Sequence, residues 1–495
     1  MKRKKRSMGP VVEILLLIAI VSILSLLFSL IGFSGYKTEG GSFETTLLVV
    51  KNILSFDGLK YILNNSLIKF QTLEPLVLVI LSLIVVSILE ASGLLKEIFL
   101  PLKKIKPIYV TLLVMFVGII STFVGDYSYT LLLPLAGILY KYIGKSSSLG
   151  ILTMFVSITI GYGTGLIYNY QIYQLGDITE LATQSIIQNY NYELLSNIFL
   201  LIASTLILTV VGTLTLEHFS KKFPRNEEVD NLNTSEKAKK ATFIAFIIMF
   251  IIFVYCLLPG LPMSGLLLDK AQPTYIGKLF SGSSPLNQGF MFLLIAIFMI
   301  CGFIYGTVSR NIKNTEDYSK ALTKSFEGTG YVFVLLFFIT ILYEVLDWTN
   351  LSTIISTNIV DFVGSMNVSG MLLVLIVFLT IVIISVLIPA SIVKWDIIAP
   401  IYVPLLMRAN ISPTFTQTIF LAADSVGKLF SPIYVYLIIT IGFMHKYEKD
   451  SNLSIFGTMK KIMPVILILG VTWLAIIIGW YLIGIPIGIN TNITL

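Results

Sequence analysis

Apolar residues run along this chain in long stretches separated by short polar breaks. Those near 11 to 33, 73 to 95, 192 to 216, 240 to 259, 286 to 308, 328 to 347 and 462 to 485 each carry the roughly 20 apolar residues a helix needs to cross a hydrocarbon core. Three further regions, 107 to 143, 148 to 176 and 369 to 444, are apolar but interrupted by Gly, Pro and polar residues. The pattern predicts an all-α polytopic membrane protein in which some helices are broken.

Composition narrows this. Of 495 residues, 56% are hydrophobic and 12% charged, and mean hydropathy is +0.90. That leaves too few charges to cover a water-facing globule, so the lipid bilayer is the expected solvent and one membrane domain the expected organisation. The net charge of +7 comes from basic residues clustered between apolar stretches, where they set topology. Nucleic acid is not expected as a partner. Cys256 and Cys301 sit inside apolar runs with no CxxC pair, which gives disulfide or metal chemistry no footing. The stretch 11 to 33 follows a basic MKRKKRSMGP but lacks a small-residue cleavage site, so it reads as a retained first helix.

The positive-inside rule fixes a path. Basic groups at Lys2 to Arg6, Lys96 to Lys106, Lys141 with Lys145, Lys221 to Lys240, Arg310 to Lys324 and Lys446 to Lys461 all fall on the cytoplasmic side if 107 to 143 and 369 to 409 are re-entrant hairpins. About nine spans remain, with the N-terminus inside and the C-terminus outside the cytoplasmic membrane of a bacterium. The order of elements then repeats: 1 to 217 with the first hairpin, a linking helix at 240 to 259, and 286 to 485 with the second hairpin, in inverted orientation. Inverted repeats bind their solute where hairpin tips and broken helices meet, because freed backbone survives in a membrane only where it is buried or lines water.

Polar residues inside these breaks are the candidate chemistry. The first hairpin turns at Gly125-Asp126-Tyr127-Ser128-Tyr129, where Asp126 is expected to cap a helix start and to line an ion-coupling site. The next break reads Gly161-Tyr162-Gly163-Thr164-Gly165, then Asn169, Tyr170 and Gln171. Alternate glycines disfavour helix and offer backbone carbonyls to a cation, making Gly163 and Gly165 further ion-coupling candidates. The second hairpin carries Pro389 to Asp396, with Ser391 at its tip, Trp395 as a solute contact and Lys394 and Asp396 as a mutually neutralising pair. Asp424, mid-span between Pro413 and Pro432, is the leading functional residue for both solute and ion; a structural pair with Lys428, one turn on, is the competing reading. Glu90, Glu344 and Asp347 fall near span ends, within reach of headgroups.

The closest approach to a phosphate-binding loop, Gly137 to Ser146, has six residues between its glycines instead of four. No His, Cys or paired-carboxylate cluster supplies enzyme machinery. What remains is a secondary carrier of a small-molecule solute, needing no cofactor and coupled to sodium or protons, with a passive channel disfavoured by the broken repeats.

In the carboxyl third, Lys394-Trp395 through Ala399-Pro400, Val403-Pro404, Ser412-Pro413, Thr416-Gln417, Asp424-Ser425, Pro432, Lys446-Tyr447 with Lys449-Asp450, and Trp480-Tyr481-Leu482 through Gly484 and Pro486 follow one another in an order and spacing that resemble the AbgT family of p-aminobenzoyl-glutamate transporters. The resemblance spans nearly the whole chain. It implies a homodimer with nine spans and two hairpins per subunit, and cation-coupled import of p-aminobenzoyl-glutamate or efflux of p-aminobenzoate-like antimetabolites. It also implies solute-binding roles for Trp395, Pro413, Asp424 and Pro432. The chain departs from the family at Gln171, where the family has Asp, at Ser385 and Ile392 in the second hairpin, and at Leu421, where the family has Arg. Losing that Arg removes a bidentate partner for a carboxylate, which makes a less charged solute plausible. The alternative is a carboxylate, amino-acid or dipeptide carrier of the wider ion-transporter superfamily.

Overall fold

A computed structural model of the chain describes residues 8 to 38, 44 to 167, 170 to 193, 195 to 220, 232 to 447 and 453 to 495. Lys2 to Arg6, Asn169, residues 221 to 231, Lys449 and Asp450 lie outside the described residues.

The protein is a helix bundle. An entry helix α1 (Pro10–Leu30) leads into a two-stranded antiparallel ribbon, β1 (Ser34–Thr38) and β2 (Thr45–Val49). There follow α2 (Phe56–Gln71), α3 (Glu74–Ala91) and α4 (Leu94–Phe99). The first helical hairpin is α5 (Pro107–Ile120) and α6 (Tyr127–Tyr142), and the first broken span is α7 (Ser147–Thr164) and α8 (Tyr170–Gln184). Beyond α9 (Ile198–Phe219) and α10 (Glu236–Leu257) come the short α11 (Tyr275–Phe280), then α12 (Pro285–Val308), α13 (Thr315–Thr323), α14 (Gly330–Thr349) and α15 (Leu351–Gly364). The second hairpin is α16 (Gly370–Leu387) and α17 (Ser391–Arg408), the second broken span α18 (Pro413–Leu429) and α19 (Val435–Tyr447), and α20 (Ile455–Ile483) completes the bundle.

Hairpin, broken span and single span thus occur in the same order twice. Among the described residues, ten helical segments are long and apolar enough to cross a membrane. The stretch Pro107–Val124, which contains α5, and α16 meet that criterion while α18 does not: it has 17 residues and carries Thr, Gln, Asp and Lys where the arms carry aliphatics. The sequence pattern did not reveal the β1–β2 ribbon, α2 or α15. The α2 stretch mixes Asn, Lys and Asp with its apolar residues, and its start is fixed by Ser55, whose hydroxyl accepts from the Gly58 N–H at 3.1 Å. Residues 192 to 197, expected to be helical, precede the helix, which starts at Ile198.

Two helices form the centre. Every residue of α7 and of α18 is buried, and the two pack along one another, flanked by α5, α6, α16 and α17. Glycine makes the contact close: a Cβ on Gly161 would lie 2.7 Å from the Ile119 backbone of α5, and one on Gly163 would lie 2.5 Å from Ser425 Oγ of α18. Both glycines are helical, contrary to the expectation that they unwind α7. Tight packing from all sides holds the helix against its low propensity, and the break comes at Gly165, in the left-handed region at φ +50°.

Outside the spans, the loop before α12 is fixed by Asp269, which accepts from Ser281 Oγ (2.9 Å), Ser283 Oγ (2.7 Å) and the Ala271 N–H (3.0 Å). These donors, Ser283 first, hold its carboxyl down at about 2, so the loop keeps its staple at any pH above that.

Candidate functional site

The second hairpin turns at Ile388-Pro389-Ala390, where Pro389 breaks the helix and α17 restarts at Ser391. That restart aims residues 391 and 394 at α18. There Asp424, 2% exposed, is gripped from several sides. Its Oδ1 takes the Lys394 ammonium and lies 3.2 Å from Ser385 Oγ; its Oδ2 accepts from Ser391 Oγ at 2.5 Å and sits 3.1 Å from Lys428 Nζ. Lys428 also donates to Ser391 Oγ at 2.5 Å, and Lys394 to the Ile388 carbonyl at 3.0 Å. Two buried ammoniums therefore share one buried carboxylate.

This overturns the expected pairing of Lys394 with Asp396. Residues two apart on a helix point to opposite sides, so Lys394 turns inward while Asp396 turns out and meets Lys37 of β1 at 3.6 Å. The pairing of Asp424 with Lys428 is present, but as one limb of a three-charge cluster.

Trp395 is fully buried against the Phe420 ring (centroids 4.3 Å apart), away from any interface. Its Nε1 donates to Thr179 Oγ1 of α8 at 2.9 Å, and Thr179 in turn donates to Gln417 Oε1 of α18 at 2.5 Å. Trp395→Phe drops this bond and leaves the volume of the second fused ring empty, so a loss of about 1–3 kcal/mol is expected in detergent unfolding measurements. A change above about 3 kcal/mol would show that the indole N–H does more than join α17 to α8.

Asp126 does not cap α6. It occupies the N-cap position with helical dihedrals (φ −68°, ψ −15°), and its Oδ1 accepts instead from the Tyr162 hydroxyl of α7 at 2.6 Å. Tyr162 lies in a ring cluster with Tyr129, Tyr434 and Tyr436: Tyr129 and Tyr436 stack with centroids 4.1 Å apart, and Tyr434 donates to the Tyr129 hydroxyl at 2.9 Å. Lys428 Nζ lies 4.9 Å over the Tyr162 ring. The two hairpin tips are thus linked from Asp126 through Tyr162 and Lys428 to Asp424. Nothing in the spacing of these tyrosines announced the cluster, since they come from three separate helices and the turn before α19.

Beside the first hairpin tip lies a cavity of about 600 Å³, bounded by Asp126, Gln171, Ile392, Glu74 and aromatic rings. Of the sequence candidates, Asp126 and Gln171 line it; Asp424, Trp395, Ser391, Pro413, Pro432, Gly163 and Gly165 do not. Pro413 instead opens α18 at its first turn, Pro432 falls in the turn between α18 and α19, and Gly165 ends α7. Glu344, expected near headgroups, is 2% exposed and lies 3.7 Å from Lys69 of α2, which also bonds Asp347 at 3.3 Å; Glu90 takes a hydrogen bond from Ser325 Oγ at 3.2 Å. No group of three or more His, Cys, Asp or Glu residues is placed to hold a metal among the described residues.

Residues 6–495 match the family model described as "AbgT putative transporter family". The chain belongs to the AbgT family. This AbgT chain is 23% identical over 484 residues to the p-aminobenzoyl-glutamate transport protein of Escherichia coli (strain K12), covering 97% of this chain and 93% of that one. It shares its fold with the YdaH transporter of Alcanivorax borkumensis, whose structure is described as having an unusual topology: TM-score 0.51 and 22% identity, over 97% of this chain and 100% of that one. It likewise shares its fold with MtrF of Neisseria gonorrhoeae, described with a class of antimetabolite efflux pumps: TM-score 0.50 and 23% identity, over 97% and 96%. The AbgT chain is therefore a multi-pass membrane transporter for small-molecule solutes and not an enzyme.

The departures from the family pattern now have places. Ser385 still reaches Asp424, Ile392 puts an aliphatic side chain into the cavity, Gln171 lines the cavity without charge, and Leu421 is buried on α18 where its carbonyl faces Gly163.

Proposed function

We propose that the AbgT chain is a secondary active transporter of a small aromatic or amino-acid-like solute carrying a carboxylate, driven by a proton gradient, with the Asp424–Lys394–Lys428 cluster as its proton-handling point. The observation that carries this is the double occupation of Asp424. Both carboxylate oxygens already take an ammonium donor, which leaves no free oxygen for sodium, while the surplus positive charge is relieved when one lysine gives up a proton. One proton moving down 100 mV supplies about 2.3 kcal/mol, enough for roughly fortyfold accumulation of a solute with no net charge, whereas uptake of a monoanion costs the same amount and needs a second proton. The inverted repeat, the two hairpins as re-entrant elements, a cytoplasmic N-terminus with an extracellular C-terminus, residence in the cytoplasmic membrane and a homodimeric assembly belong to the same reading. They are supported by the charge pattern, the doubled order of elements and the family.

The E. coli relative, a p-aminobenzoyl-glutamate transport protein, points to p-aminobenzoyl-glutamate as the solute, and MtrF, described with antimetabolite efflux pumps, points to efflux of antimetabolites. An amino-acid or dipeptide substrate is the second reading, favoured by the acidic cavity beside Asp126. Purified protein in liposomes tests the coupling. Counterflow of labelled p-aminobenzoyl-glutamate, p-aminobenzoate and amino acids is measured under separately imposed pH and sodium gradients. Flux that follows the pH gradient in sodium-free medium is expected; flux that needs sodium and ignores pH would remove the proton assignment.

A further inference from the structure

Three lysines stand unpaired at the foot of the first hairpin. Lys103 and Lys104 close a 3₁₀ turn over Leu100–Lys104, and Lys106 immediately precedes α5. All three are exposed, and among the described residues none of their side chains makes an ion pair or a hydrogen bond. Other lysines that the charge pattern assigns to the same side are engaged: Lys145 pairs with Glu217, Lys239 lies 3.9 Å from Glu97, Lys324 lies 3.9 Å from Glu90, and Lys96 donates to the Leu232 carbonyl at 2.8 Å.

Directly beneath these lysines, α5 has two faces. Val114, Met115, Gly118 and Ile119 are buried, Gly118 so closely that a Cβ there would overlap Ser157 of α7. Ile108, Tyr109, Leu112, Leu113 and Phe116 are exposed and recur at the spacing of one helix face, with the Tyr109 hydroxyl as their only polar side-chain group. From Ile108 to Phe116 this stripe runs about 12 Å at 1.5 Å per residue, most of the roughly 15 Å of hydrocarbon in one leaflet. An apolar stripe headed by unpaired cations matches a lipid end to end, phosphate at the surface and acyl chain below. It does not match a second copy of the chain joined through the same face, since an axis normal to the membrane would bring that copy's own lysines to the same depth.

We propose that the foot of the first hairpin is a binding site for an anionic phospholipid, its phosphate held by Lys103, Lys104 and Lys106 and one acyl chain laid along the exposed face of α5. Tyr109 then sits at headgroup level, where an amphipathic ring is best placed. A lysine beside an anionic membrane surface is worth about fivefold in affinity, so the three together favour an anionic lipid over a zwitterionic one by tenfold or more. The lipid covers the outer face of a helix whose inner face packs on α7.

Native mass spectrometry of the full chain in detergent, titrated with dioleoyl phosphatidylglycerol and with dioleoyl phosphatidylcholine, measures the binding of each lipid. Phosphatidylglycerol is expected to bind at least tenfold more tightly, and the triple change Lys103→Gln/Lys104→Gln/Lys106→Gln to weaken it tenfold or more. Lys313→Gln/Lys320→Gln, which removes two exposed lysines beside Asp317 and Glu316, should change it less than threefold. All these positions are exposed, so the lipid-free variants should unfold at the parent's temperature, which separates lost binding from lost folding. Equal binding of the two lipids, or phosphatidylglycerol binding that survives the triple change, would overturn the proposal. Displacement of phosphatidylglycerol by an equal concentration of glycerol phosphate would do so as well, because it would leave the apolar stripe without a role. A shift of oligomeric state in the triple variant with lipid binding unaltered would give the face to a second copy instead.

Discussion

Asp424→Asn is expected to abolish gradient-driven flux and to destabilise the protein by about 3–5 kcal/mol, the range for removing one partner of a buried ion pair. The variant leaves Lys394 and Lys428, 0% and 5% exposed at their side chains, facing each other with no anion between them. Lys428→Met is the informative contrast. It leaves the Lys394–Asp424 pair intact and electrically neutral, so its stability should fall less than that of Asp424→Asn while proton-driven flux falls with it. The measurement is denaturant unfolding in micelles beside counterflow in liposomes. Equal stability of Asp424→Asn and the parent would mean that the cluster does not carry two ammonium charges in the folded chain.

Gly161→Val is expected to cost about 3 kcal/mol, at the upper end of the usual range for overpacking. The added atoms would meet the Cα, C and O of Ile119, at 2.7, 3.1 and 2.7 Å from the first new carbon, and backbone cannot swing aside as a side chain can. Since α7 is also packed on α18, a displaced α7 would shift Tyr162 and Gly163 relative to Lys428 and Ser425. Flux should therefore fall even in protein that folds. Gly289→Val, at a glycine with open space around its missing Cβ, should leave folding near the parent's. Comparable losses for the two would show that the α5–α7 contact does not set the cost, since valine is no worse a helix former than glycine.

Much of the architecture was readable because lipid imposes a simple rule: an apolar stretch of about 20 residues becomes a helix, and interruptions fall where helices break. Pro389 and Pro432 marked real breaks for that reason. The glycines at 161 and 163 misled because a small residue serves equally to end a helix and to let two helices touch, and local sequence does not say which. The amphipathic α2 and the β1–β2 ribbon escaped notice because neither has the continuous apolar signal of a span.

The site was less legible than the fold. Asp424 stood out because a carboxylate inside an apolar run has few innocent explanations. Of its partners Lys428, one turn on, was readable, but Lys394 was not, since it arrives from α17 of the second hairpin and its nearest acidic neighbour in sequence, Asp396, lies on the far side of the same helix. Glu74 was passed over beside Pro75 at a helix start, and only the folding of α3 against α6 brings it to the cavity that Asp126 lines.

Hydrophobic periodicity and the placement of Lys and Arg determined by themselves that this chain is a membrane bundle with broken helices, because both respond to the bilayer one segment at a time. Which charges neutralise one another, which glycines are contacts and which acids share a cavity were decided only by the crossing of α7 and α18 inside the two hairpins. Those relations join residues hundreds of positions apart, and their energy exists only when the helices that carry them have packed.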